Sequence, residues 1–186
     1  MRHLLISGFI LLHSLAGHAQ DDSVAYQLYF IGDAGDANFG STLEIISKHS
    51  TLHNVPSTAI FLGDNIYPKG LPDKQNKNRK ASEKILLKEI SLASEFDNVY
   101  FIPGNHDWKN GQRGGIHSYM NQQRFIDSLK NSKIHFLPRD GCPGPEEIHL
   151  SNGLVLAMID TQWFLHPWDK PAGESSHCEE IGRAHV

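Results

Sequence analysis

From residue 24 onward the chain alternates short β-branched and aromatic runs with stretches whose apolar positions recur every three or four residues. Residues 24–31 (VAYQLYFI), 57–62 (STAIFL) and 99–102 (VYFI) predict strands, and 133–137 and 154–159 predict two more. Residues 41–48 predict a short helix capped at Ser41 or Thr42, with Leu43, Ile45 and Ile46 as its apolar positions. The strongest helical pattern covers 79–96. Leu86, Ile90 and Ala93 form a stripe, Ile85, Leu92 and Phe96 flank it, and Lys84, Lys88 and Glu95 face away. A further helix is predicted over 116–129. The stretch 68–80 carries Pro, Gly, Asn and the cations Lys69, Lys74, Lys77, Arg79 and Lys80, and predicts an exposed, solvated loop. A cationic rim that attracts an anionic substrate is the other reading of those five residues. Strands alternating with helices predict an α/β fold with largely parallel strands.

Three predicted strands end in Gly followed by an oxygen-bearing residue: Gly32-Asp33, Gly63-Asp64 and Gly104-Asn105. Ligands of open α/β sheets bind outside the carboxyl ends of the strands, so these residues are expected to converge on one edge. Turn chemistry alone would account for any single pair. Asp33, Asp64 and Asn105 are hard oxygen donors, with Tyr67 and His106 close beside them in sequence. Such donors suit Fe, Mn, Zn or Mg. Carboxylates can also bridge two cations, and a pair roughly 3.5–4 Å apart clamps an in-line attack at phosphorus. A glycine before each donor would let the backbone approach closely without a Cβ clash. In the run 104–108 an amide donor stands beside a potential proton donor, His106, and Asp107 would orient either that imidazole or a neighbouring loop. Trp108 is expected at the pocket mouth and Trp163 and Trp168 over the 154–159 strand. Asp160-Thr161 closes that strand on the same edge, behind the donors.

Other chemistries fit less well. The glycines of 32–40 do not match the dinucleotide pattern, and no P-loop Lys-Ser/Thr follows them. Asp33 and Asp36 lack the Gly and closing Glu of a calcium loop. No Gly-x-Ser-x-Gly elbow is present. The 186 residues are 39% hydrophobic and 20% charged with a formal net charge of −4, a balance that argues against disorder and offers no electrostatic footprint for nucleic acid or anionic membranes.

Both ends change the picture of a single small domain. Residues 1–19 combine a cationic start, a short apolar run and small residues before Gln20, the pattern of a secretory signal peptide, and the run is shorter than the roughly 20 residues of a membrane span. Export to the periplasm, the cell envelope or the medium is therefore expected, with no transmembrane segment beyond the leader. Residues 20–180 read as the N-terminal part of one domain and 181–186 as a non-native tail. The only two cysteines, Cys142 and Cys178, read first as a disulfide in an exported chain, because a zinc site would want more soft ligands at shorter spacing.

The blocks GDAG (32–35), GDNIY (63–67) and GNHD (104–107), in this order, resemble the first three blocks of the calcineurin-like metallophosphoesterases, closest to the purple acid phosphatase branch. The resemblance implies a two-sheet β-sandwich flanked by helices and two metal ions, iron paired with Fe, Zn or Mn. By the same resemblance Asp33 binds one metal, Asp64 bridges both, Asn105 binds the second and Tyr67 is the phenolate ligand of ferric iron. His106, paired with Asp107 in the catalytic block, contacts the phosphate and assists the leaving oxygen after attack by a metal-bound hydroxide. The substrate would be a phosphorylated small molecule or other phosphoester. Many relatives carry His where Gly35 stands, and Tyr67 in its place points to the purple branch; a tyrosine packed beside Pro68 is the structural alternative. The family's later blocks, which supply three further His ligands, are not identifiable here, and His166 and His177 read as surface residues. The alternative from another class is an exported, non-catalytic binding or envelope module that keeps the fold, or an inactive fragment.

Overall fold

The computed structural model describes residues 24–36, 40–50, 55–171 and 178. Its centre is a parallel sheet in the order β1 (Gln27–Ile31), β2 (Ser57–Phe61), β3 (Asn98–Phe101) and β4 (Ile134–Phe136). Helices α1 (Gly40–Ser50), α2 (Arg79–Ile90) and α3 (Gly115–Ser128) lie in the connections between successive strands. The register pairs Ile31 with Phe61 and Phe61 with Phe101, so β1, β2 and β3 finish level and their exit loops leave one edge together. Every residue of β2 is buried, as expected of a strand covered on both faces.

The two faces are covered differently. Ala59, Phe61, Val99, Phe101 and Phe136 pack with helix-side residues including Leu86, Tyr119 and Ile126. Ile60 and Tyr100, pointing the other way by strand alternation, pack with Met158 and Leu156. These last belong to an antiparallel pair, β5 (Glu146–His149) and β6 (Val155–Met158), followed by α4 (Thr161–Leu165). Two sheets therefore meet face to face with helices on the outer side of the parallel one, which is the predicted α/β arrangement.

Several boundaries moved. The first strand begins at Gln27, and α1 starts at Gly40, ahead of the expected cap. The 79–96 helix ends at Ile90 and continues as a 3-10 turn, Ser91–Ser94, which still delivers Leu92 and Phe96 to the core. Strand β5 was not predicted, because its Glu-Glu-Ile-His sequence has one apolar residue and only alternate positions are partly covered. The 68–80 stretch is not wholly exposed. Leu71 is fully buried, and Arg79 is buried in the first turn of α2, its guanidinium 2.7 Å from both the Glu83 carboxylate and the Pro72 carbonyl. Cys142 and Cys178 form a disulfide, with Cα atoms 5.5 Å apart. The leader at 1–19, the tail at 181–186 and His177 lie outside the described residues.

Three residues after Leu86, on the same buried face of α2, stands Glu89, 1% exposed. Neither of its carboxyl oxygens has a hydrogen-bond partner among the described residues. Burial first, and then the nearby Asp107 carboxylate, raise its pKa well above the usual 4.5. The folded chain thus holds a proton that the unfolded chain has released, and this group makes stability fall as pH rises above about 4.5. Glu89→Gln is expected to stabilise the protein by about 1–3 kcal/mol at pH 8 and to flatten that slope. Denaturant midpoints of both proteins at pH 5 and pH 8 check this; parallel pH dependences would contradict it.

Candidate functional site

The loops after β1, β2 and β3 bring Asp33, Asp64, Tyr67 and His106 together. Asp33 and Asp64 have left-handed backbones, φ 55° and 54°, a conformation uncommon outside glycine and typical of strained functional positions. The β2 and β3 exit loops touch backbone to backbone. A Cβ on Gly63, itself at φ 102°, would lie 2.6 Å from the Gly104 nitrogen, and a Cβ on Gly104 would overlap Asp64 Oδ1. A Cβ on Gly32, by contrast, would meet nothing within 4 Å, so the expectation that all three glycines relieve a clash holds for only two of them.

The Asp64 carboxylate is held from two sides. Its Oδ1 accepts the His106 backbone N–H at 2.9 Å, and its Oδ2 accepts the Tyr67 hydroxyl at 3.1 Å. The same hydroxyl lies 2.5 Å from Asp33 Oδ1. Oxygens of two carboxylates and one phenol thus crowd a single point. The hydrogen bond to Asp33, burial and the Asp64 carboxylate all hold the phenol proton and raise its pKa above the usual 10.0. Gly35 is required beside this cluster, since a Cβ there would fall 2.5 Å from the Asn65 carbonyl carbon.

Asn105 lies on the same edge, and its Nδ2 donates to Asn110 Oδ1 at 2.8 Å. That bond leaves the Asn105 carbonyl oxygen available as a donor to a cation. His106 Nδ1 is 2.6 Å from the Pro68 carbonyl, which can only accept, so the proton sits on Nδ1 and Nε2 remains for a ligand. Its ring packs against that of Tyr67 with centroids 4.2 Å apart.

Asp107 takes the loop-holding role of the two open to it. Fully buried, it accepts through Oδ2 from the Gly104 N–H (2.8 Å), the Asn65 N–H (3.2 Å) and the Asn65 Nδ2 (3.3 Å), and none of its hydrogen bonds goes to the His106 imidazole. Burial raises its pKa to about 7 against the lowering effect of those backbone donors. Asn65, whose Nδ2 also donates to the Ile102 carbonyl at 2.9 Å, was not singled out in the sequence, although it stands inside the GDNIY block.

Three further expectations are corrected. Trp108 is fully buried in the core and does not form a pocket mouth; its Nε1 donates to Asp160 Oδ2 at 2.7 Å, tying the end of β6 to the GNHD loop. Asp160 also caps α4 by accepting the Trp163 N–H at 3.1 Å, and burial raises its pKa to about 6. Trp163 packs on the helix-side core and Trp168 donates to the Gly111 carbonyl, whereas the core contacts of β6 lie in the other cluster. His166 is 6% exposed, packed against Trp108 at 4.7 Å between ring centroids, and so is not a surface residue. Burial lowers its pKa and keeps it neutral near pH 7.

Residues 26–181 match the family model of the calcineurin-like phosphoesterases. The chain belongs to this family. No curated protein and no solved structure matches it. As a calcineurin-like phosphoesterase it has phosphoesters as its substrate class. Among the described residues of this phosphoesterase no helix is long and apolar enough to cross a membrane. Among the same residues no group of three or more His, Cys, Asp or Glu side chains is placed to hold a metal ion. The donors on the sheet edge are two carboxylates, a phenol and an amide oxygen, a hard all-oxygen set that fits one side of a centre for Fe, Mn, Zn or Mg.

Proposed function

We propose that this phosphoesterase is an exported hydrolase of phosphoric esters that works with two metal ions, iron with Fe, Zn or Mn, and that it lies closest to the purple acid phosphatases. Support comes first from the Tyr67 hydroxyl, which meets the carboxylates of both Asp33 and Asp64 at 2.5 and 3.1 Å. A phenol between two carboxylates is stable as a proton-sharing cluster and becomes a ligand set once a cation replaces the proton. Asp33 would hold one metal, Asp64 both, Asn105 the other through its carbonyl oxygen, and Tyr67 the iron. Bound there, the metals supply the nucleophile and neutralise charge developing at phosphorus. His106, with Nδ1–H fixed on the Pro68 carbonyl, would present Nε2 to the phosphate, and in its doubly protonated imidazolium form would give the Nε2 proton to the leaving oxygen. Asp107 keeps the Gly104 and Asn65 backbones in place, which holds Asn105 and Asp64 at fixed separation. Export is supported by the leader pattern of residues 1–19 and by the disulfide, which persists in oxidising compartments.

Chelation of the purified protein is expected to lower p-nitrophenyl phosphate hydrolysis by about 100-fold or more, with recovery on adding iron and zinc. The metal-loaded protein should show a visible absorption band that Tyr67→Phe removes. Full activity after complete metal removal would overturn the metal-dependent reading, and a band that survives Tyr67→Phe would overturn the purple assignment.

A further inference from the structure

Beside Tyr67 a cleft of about 520 Å³ opens between the 67–78 segment and the first turns of α2 and α3, a volume in the range of small-molecule sites. Cations outnumber carboxylates on its wall, Lys69 and Lys109 against Asp73. Neither α2 nor α3 has an acidic residue in its first turn or a side chain capping its N-terminus, so two positive helix ends open onto the cleft uncompensated. Lys69 and Lys109 line it, and their ammonium groups meet only neutral acceptors, Gln112 Oε1 and the Arg113 carbonyl, each at 3.2 Å. Neither lysine joins an ion pair among the described residues. On the wall, Ser82 is only 8% exposed. The Asn78 amide, at the helix cap position, is not used to cap α2. Asn121 and Asp73, themselves 3.0 Å apart, complete a set of amide, hydroxyl and carboxylate groups suited to sugar hydroxyls. Tyr67 is the one ring of Phe, Tyr or Trp on the wall, which offers little for a nucleobase to stack on.

We propose that this cleft receives the leaving group of the substrate and takes a polyhydroxylated alcohol bearing a second anionic group, of which a sugar bisphosphate is the simplest case. The inference rests on the hydrolase reading above and names its substrate class. Water forms the new P–O bond at the scissile phosphate and the sugar O–P bond breaks. The sugar oxygen takes up a proton, and the products are inorganic phosphate and the sugar monophosphate. Lys69 and Lys109 engage the second, unreacted phosphate, while Ser82, Asn78 and Asn121 engage the hydroxyls.

The test compares kcat/KM of the metal-loaded protein for fructose 1,6-bisphosphate and fructose 6-phosphate. A preference for the bisphosphate of about tenfold or more is expected, and the double variant Lys69→Ala/Lys109→Ala should erase it, while Lys69→Arg/Lys109→Arg restores it. A merely structural effect would lower both values and leave their ratio alone. An unchanged ratio in the double variant overturns the proposal. If the wild type hydrolyses p-nitrophenyl phosphate but neither sugar ester, the proposal is overturned; if it hydrolyses none of the three, the hydrolase reading falls, and the cleft is judged by calorimetric titration with fructose 1,6-bisphosphate. A roughly tenfold loss of affinity in the double alanine variant then supports the cleft as an anion site, and equal affinities overturn it.

Discussion

Asp64→Asn is expected to lower kcat/KM for p-nitrophenyl phosphate by about 1,000-fold or more, near 4 kcal/mol of transition-state stabilisation, while leaving the fold standing. The substitution isolates charge from shape. Asn tolerates the left-handed backbone that Asp64 adopts at φ 54°, and its carbonyl oxygen can still accept the His106 N–H. It removes the negative charge shared by Tyr67 and His106, and with it the carboxylate proposed to bridge two cations. Metal content should fall together with rate, whereas the thermal midpoint of the metal-free protein should stay close to that of the wild type. Elemental analysis beside the kinetics decides the matter. Wild-type turnover and wild-type metal content in Asp64→Asn would remove Asp64 from the centre.

Gly104→Ala should destabilise the protein by about 3 kcal/mol and abolish activity. The added carbon overlaps both the Asp64 backbone nitrogen and its Oδ1, and backbone cannot swing aside as a flexible side chain can. Relief would require parting the β2 and β3 exit loops, which Asp107 ties together through the Gly104 and Asn65 N–H groups. Gly32→Ala is the matched control. No atom lies within 4 Å of its new carbon, and the change should cost less than about 0.5 kcal/mol. Urea unfolding of the two variants measures the difference directly, and similar losses in both would contradict the loop contact.

Much of the architecture was legible along the chain because the parallel strands are short and apolar and the first three are closed by glycine. Those are local signals, and the paired ends of β1, β2 and β3 turned three such signals into one edge. What misled was also local. Trp108 next to GNHD looks like a pocket residue, His166 looks like an exposed histidine, and Arg79 looks like one more loop cation. Trp108 and His166 are buried by partners far along the chain, Asp160 for the indole and the Trp108 ring for the imidazole, whereas Arg79 is held by the nearby Pro72 carbonyl and Glu83 and lies 5.8 Å from the distant Phe125 ring. Strand β5 escaped because only one of its faces is covered and half of that cover is polar.

The sequence by itself determined the order of elements, the three strand-end blocks and hence the family, since each depends on spacing within a few residues. Only the tertiary structure decided which glycines are indispensable, which way Asp107 turns, where Glu89 is trapped, and that a cationic cleft opens beside Tyr67. These depend on contacts between segments 30 or more residues apart, such as Tyr67 with Asp33 at a separation of 34 and Asn65 with Asp107 at 42. Whether a polar group gains a partner or is buried without one is fixed by such packing and carries no mark in the neighbouring sequence.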